Sequence, residues 1–110
     1  MEAFEFANLV AECSKVDDHY LEFMRKPSLS VGVYMLAAGA VDLQAPHTED
    51  EIYYVVSGRG FFQVESEHQA VEAGAVLFVA ANVEHRFHSI SEDMTILVVF
   101  APAEYTNASH

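Results

Sequence analysis

The feature that most constrains the fold of this chain is a change of period. Up to residue 13 the apolar side chains follow a helical spacing, and from about residue 20 they alternate every second position in short runs. Phe6, Leu9, Val10 and Cys13 stand at i, i+3, i+4 and i+7, which predicts a short helix over 6–13. Leu21 and Phe23 then alternate with charged residues, Pro27 interrupts, and Leu29 to Leu36 reads as a second strand. Further apolar segments at 52–56, 61–65, 75–81 and 94–101 are divided by candidate turns at Gly39, Gly58-Arg59-Gly60, Ser66-Glu67-His68 and Gly74. Strands this short and this closely spaced, with so little helix, predict an all-β antiparallel sandwich or barrel.

The chain of 110 residues, 52% hydrophobic, suffices for one domain with its own core. The expected organisation is a barrel over about 20–101, a helical segment over 6–13, and a tail, 102–110, that is either a frayed end or a strand-swapping arm. Seventeen acidic residues against five Lys and Arg give a formal net charge of -12, which argues against nucleic acid and anionic membrane surfaces as partners. Most of that charge is expected to serve as solvated surface. Cys13 is alone, so no intrachain disulfide forms, and it is expected in the core. The start MEAFEFANLV lacks a basic, apolar signal pattern and no apolar run approaches membrane-spanning length, so a cytoplasmic location is expected.

One stretch does not fit a plain strand. Ala45-Pro46-His47-Thr48-Glu49-Asp50-Glu51 is polar, yet it runs directly into Ile52-Tyr53-Tyr54-Val55-Val56. If Tyr53 and Val55 face a barrel interior, Glu51 faces it too. A lone inward carboxylate is costly unless it is paired or binds a metal. His47, four residues earlier across the bend, can meet Glu51 there. Further on, an apolar strand turns at Ala81-Asn82 and restarts at Glu84, with His85 and Phe87 on one face and Glu84, Arg86 and His88 on the other. A core Phe87 therefore puts His85 inside.

These spacings resemble the cupin family. Its first motif reads Gly, five residues, His-x-His, three or four residues, Glu, six residues, Gly; here Gly39, Ala45, His47, Glu51 and Gly58 fall in that register, with Ala45 for the first histidine. Its second reads Gly, five residues, Pro-x-Gly, two residues, His, three residues, Asn; here Gly74, Ala80, Asn82, His85 and Ser89 stand at those places. Asn82 for glycine is a mild departure, since Asn tolerates a left-handed turn. The resemblance implies a double-stranded β-helix, or jelly-roll barrel, with a short N-terminal helix added.

It also implies that His47, Glu51 and His85 hold one divalent transition metal, Fe, Mn, Zn, Ni or Cu, with positions left open for substrate, water or dioxygen. Ala45 removes one of the family's four usual ligands, and Glu49 is the nearest acidic candidate to replace it, though Glu49 and Asp50 are expected mostly to face solvent. His88 should face away from His85. Tyr53, two positions after Glu51, is either core or a proton donor beside the metal. Val55, Phe62, Val64, Phe78 and Phe87 are the expected wall of a pocket for a small organic molecule.

The family includes dioxygenases, decarboxylases, isomerases and cyclases, so the fold does not select a reaction. A dioxygenase-type oxidoreductase is the leading expectation, because three protein ligands leave room for substrate and dioxygen together. The alternatives are a metal-dependent isomerase or cyclase, a non-catalytic small-molecule binder, and a structural barrel in which the three residues form only a buried polar cluster. Cupins commonly pair through sheet edges, so a homodimer is expected.

Overall fold

A computed structural model describes residues 1–108; the last two residues of the expected tail, 109 and 110, lie outside the described residues. Helix α1, Phe6–Cys13, is followed by six strands: β1 Tyr20–Lys26, β2 Leu29–Leu36, β3 Asp50–Val64, β4 Glu67–Glu72, β5 Val76–Val79 and β6 His85–Ala101. They hydrogen-bond in the order β1-β2-β6-β3-β4, with β5 also on β3, and every pair is antiparallel. The chain is mostly antiparallel sheet with one short N-terminal helix, as the alternation predicts.

The helix owes its place to its apolar stripe. Leu9 and Cys13 are buried with Val33 of β2, and Phe6, Val16, Leu21, Phe23 and Met35 pack around them. The Cys13 thiol donates to the carbonyls of His19 and Val33, each at 3.2 Å. Desolvation pushes that thiol above its ordinary range. Cys13 is thus held as a buried thiol that joins helix to sheet.

The strands are longer than their apolar runs. The segments at 52–56 and 61–65 belong to one strand, β3, and Gly58-Arg59-Gly60 is not a turn. Fifteen residues would span ~50 Å if straight, but the longest dimension of the protein is 35 Å, so β3 must bend. Its register against β6 shifts between Val55 and Phe61, which marks the irregularity. Gly58 sits there at φ 97°, and a Cβ on it would lie 2.3 Å from the carbonyl oxygen of Asp93 in β6. Gly58 is therefore not a break between strands: it permits a close backbone approach within a continuous one.

The bend divides the pairing of β3. Its first half lies between β5 and the end of β6, with Glu51 opposite Val79 and Phe100; its second half lies between β4 and the start of β6, with Val64 opposite Glu67 and His85. Tyr53, Val55, Phe62, Phe87, Ile96, Val98 and Phe100 fill the main core. Phe78 departs from the expected wall: β5 turns Leu77 and Val79 inward and leaves Phe78 63% exposed. The apolar run at 75–81 has no polar residue to set its phase, so sequence alternation could not fix which side faced in.

After β6 the chain folds back along the barrel. The Glu104 backbone N–H donates to Ser30 Oγ at 2.9 Å, and Ala103 and Glu104 are buried. Glu49 receives the next turn: its carboxylate accepts from the N–H of Tyr105 at 2.6 Å and of Asn107 at 2.9 Å, and from the Thr48 hydroxyl. Glu49 is accordingly buried, not in solvent as expected from its place in a polar bend, because backbone donors from the tail satisfy its charge.

Candidate metal centre

Each of the three residues singled out by spacing comes from a different setting. His47 follows Pro46 in the loop before β3, Glu51 is the second residue of β3, and His85 opens β6. The turn at Ala81-Asn82 ties the first to the third, since the Asn82 N–H donates to the His47 carbonyl at 2.7 Å. Asn82 has φ 65°, the left-handed conformation that asparagine tolerates. The bend in β3 then lets both ends of the strand face one interior.

One ligand atom from each of His47, Glu51 and His85 lies within 4.8 Å of the others. His85 presents Nε2 to the cluster because its Nδ1 is 2.8 Å from the Val83 carbonyl, which can only accept, so Nδ1 carries the hydrogen. Nε2 lies 3.1 Å from Glu51 Oε1 and 3.0 Å from the Tyr53 hydroxyl. Burial alone would lower the His85 imidazole, but the Glu51 carboxylate and the Val83 carbonyl outweigh it and raise it above its ordinary value.

Glu51 is the telling group. It is buried, and despite the short approach to His85 neither carboxylate oxygen has a hydrogen-bond partner of proper geometry. A buried carboxylate facing an imidazole nitrogen needs a proton or a cation between them. Two imidazoles and one carboxylate suit a divalent transition metal, so the residues present fit such an ion.

His47 Nδ1 lies 3.2 Å from Glu104 Oε2, the carboxylate–histidine arrangement that orients an imidazole and leaves its other nitrogen, Nε2, for a metal. Glu104 comes from the tail and was not singled out. Gln44 and Asp42 were also missed: Gln44 Oε1 is 3.0 Å from His47 Nε2 and accepts from the Tyr53 hydroxyl at 3.1 Å, while its Nε2 donates to Asp42 Oδ2 at 2.8 Å. Asp42 is buried and also accepts from the Tyr34 hydroxyl and the Phe87 N–H.

Tyr53 is fully buried, one layer behind the cluster, and desolvation followed by the nearby Glu51 charge holds its phenol well above its ordinary value. It is therefore a donor that keeps its proton. His88 faces outward, as alternation requires, stacked on Phe61 with Nε2 2.9 Å from His68 Nδ1.

His47, Glu51 and Gln44 form part of the wall of a cleft of about 740 Å³. Its apolar lining comes from Met35, Leu36, Met94, Val98 and Phe100; Val55, Phe62 and Phe87 instead pack in the solid core. Among the described residues, the carboxylates of Asp18, Glu51, Asp93 and Glu104 line it and no Lys or Arg does.

Fold and site together define a small jelly-roll barrel carrying a His-Glu-His cluster able to hold a metal ion. The chain belongs to the cupin family, whose Cupin domain matches residues 32–100. An uncharacterised protein of Streptomyces coelicolor is 49% identical over 104 residues, 94% of this chain and 99% of its own. A solved structure from Thermus thermophilus superposes with a TM-score of 0.75 at 19% identity, covering 94% of this chain and 99% of that one. KdgF from Halomonas sp. gives a TM-score of 0.68 at 23% identity, covering 76% and 78%. These structural likenesses establish the double-stranded β-helix fold. Cupins commonly bind a metal and small-molecule ligands, and no helix among the described residues is long and apolar enough to cross a membrane.

Proposed function

We propose that this cupin is a metal-dependent enzyme acting on a small organic molecule, with His47, Glu51 and His85 as protein ligands of one divalent transition metal. The observation that carries this reading is Glu51, whose buried carboxylate has two unpartnered oxygens beside two imidazoles at the wall of a cleft. Left uncompensated, such a charge costs several kcal/mol, on the order seen for other buried ions. The metal would supply Lewis acidity or activation of dioxygen.

The chain's own residues do the rest. Glu104 orients His47, the Val83 carbonyl orients His85, and Tyr53 donates to Gln44 Oε1 from behind as a positioning residue. The cleft brings no lysine or arginine among the described residues, so its electrostatics favour a neutral or cationic ligand over a carboxylate or phosphate. Of the reactions open to such a site we favour a dioxygenase-type oxidation, in which both oxygen atoms enter the product and no external reductant is needed. A cytoplasmic enzyme fits the free, buried Cys13. A homodimer fits the outer face of β5, where exposed Val76 and Phe78 lie beside Tyr54 and Ile52 on a strand that, among the described residues, pairs only with β3.

Elemental analysis of protein purified without added metal or a histidine tag tests the reading, beside a His47→Ala/His85→Ala double variant. Near one transition metal per chain, lost in the variant, is expected. No metal in the wild type, even after reconstitution with each ion, overturns it. Metal without oxygen uptake across a panel of neutral and cationic substrates would leave an isomerase, a cyclase or a non-catalytic binder.

A further inference from the structure

Ala45 stands where the family carries a histidine ligand, and a methyl group cannot coordinate. We propose that Gln44, the residue before it, supplies the missing donor through its side-chain carbonyl, making the ligand set His47, Glu51, His85 and Gln44. The inference rests on the metal-binding reading above and adds to it the answer to what replaces the lost imidazole.

Asp42 fixes which way the Gln44 amide points. Gln44 Nε2 lies 2.8 Å from Asp42 Oδ2, and a carboxylate accepts only, so the nitrogen must be on that side and Oε1 must face the cluster. Asp42 is itself immobilised by the Tyr34 hydroxyl at 2.8 Å and the Phe87 N–H at 2.9 Å, and it accepts the Gln44 backbone N–H at 3.3 Å. A surface glutamine would not need such an anchor.

The spacing is that of neighbouring ligands. Two donors at right angles on one ion, each at ~2.1 Å, stand ~3 Å apart. Gln44 Oε1 is 3.0 Å from His47 Nε2, and Glu51 Oε1 is 3.1 Å from His85 Nε2. An amide oxygen has two lone pairs: one takes the Tyr53 hydroxyl at 3.1 Å, and the other faces His47 Nε2 at 3.0 Å, where an ion held by that imidazole would meet it. Glu49 is not available for the task, because the tail amides of Tyr105 and Asn107 occupy its carboxylate.

The substitution of an amide oxygen for an imidazole also shifts metal preference. Oxygen donors suit Mn(II) relative to Cu(II), whereas a third imidazole would favour the softer ions. The set His-Glu-His-Gln would bring four donors and a single negative charge to such an ion, beside the cleft that His47, Glu51 and Gln44 line.

Mn(II) serves as the probe. Wild type and Gln44→Ala are loaded with Mn(II), and the exchangeable waters on the bound ion are counted by oxygen-17 line broadening and water-proton relaxation. One more bound water in Gln44→Ala, with Mn(II) affinity lower by ~10-fold or more, is expected. Mn(II) bound with the same number of waters in both proteins overturns the role of Gln44 and leaves the three-ligand site standing. No Mn(II) bound by the wild type at saturating concentration overturns both. Asp42 keeps Tyr34 and Phe87 in the variant, so the fold should persist; if Gln44→Ala does not fold, Gln44→Ser is read in the same way.

Discussion

Replacing Glu49 by alanine should release the C-terminal segment while leaving the barrel intact. Glu49 holds residues 105–107 through two backbone N–H groups, at 2.6 and 2.9 Å, and the Thr48 hydroxyl. Hydrogen bonds to a charged acceptor contribute ~1.5–3 kcal/mol each. Against their sum stands the relief of no longer burying a carboxylate, which leaves a net loss of ~2–3 kcal/mol for docking of the tail. Opening free energies translate into amide exchange, so the N–H groups of Tyr105 and Asn107 should exchange ~30- to 150-fold faster, while those of β3 and β6 stay protected.

The effect should reach the metal centre. Glu104 precedes the released segment and keeps its own anchors, Ser30 Oγ and Arg25, so any loosening of its contact with His47 should be partial, and at the proposed metal site a weakened orienting carboxylate should lower affinity by up to ~10-fold. Hydrogen exchange by mass spectrometry and a competition titration with a chromophoric chelator read the two consequences separately. Unchanged exchange at Tyr105 and Asn107 would refute the role of Glu49, and a released tail with unaltered metal affinity would refute the coupling through Glu104.

Three other outcomes are expected. In Gly32→Ala the new Cβ would sit 2.3 Å from the Tyr20 hydroxyl oxygen, forcing the ring to move, and urea unfolding should show a loss of ~1–3 kcal/mol; an unchanged midpoint would contradict the packing. His88 is held below its ordinary value by desolvation, by His68 and by Arg86, so its share of stability is present above the ordinary histidine range and lost as pH falls through it; an NMR midpoint that does not rise in His68→Gln would count against this. Light scattering should show the proposed homodimer in the wild type and a folded monomer in Phe78→Asp, whereas a monomeric wild type or a persistent dimer in the variant would rule out the β5 face.

The sequence made the inward-facing residues of the site readable because alternation is strict near it. Glu51, Tyr53 and Val55 share one face of β3, and His85 and Phe87 share one face of β6, all buried. Helix 6–13 and strand Leu29–Leu36 were legible for the same reason, each having a clear period. Asp42 and Gln44 were not, since they lie in an aperiodic loop where polar residues look like ordinary solvated surface. Glu104 and the orientation of Glu49 depend on each other through a polar tail, a contact between residues more than fifty positions apart that no local pattern records. The bend of β3 was hidden because a glycine inside a strand and one between strands look alike.

The strand order has a consequence for how the protein folds. Strand β2 pairs on one side with β1, nearby in sequence, but on the other with β6, where Ser30 meets Phe100, seventy residues on. The β1–β2 hairpin should therefore form early and wait with one edge unpaired until nearly the whole chain has condensed, and folding is expected among the slower, millisecond-to-second topologies. Aggregation during refolding should start from that waiting edge, and a metal ion added early should not accelerate this step, because the proposed ligands His47, Glu51 and His85 come together only after β3 and β6 have closed on each other.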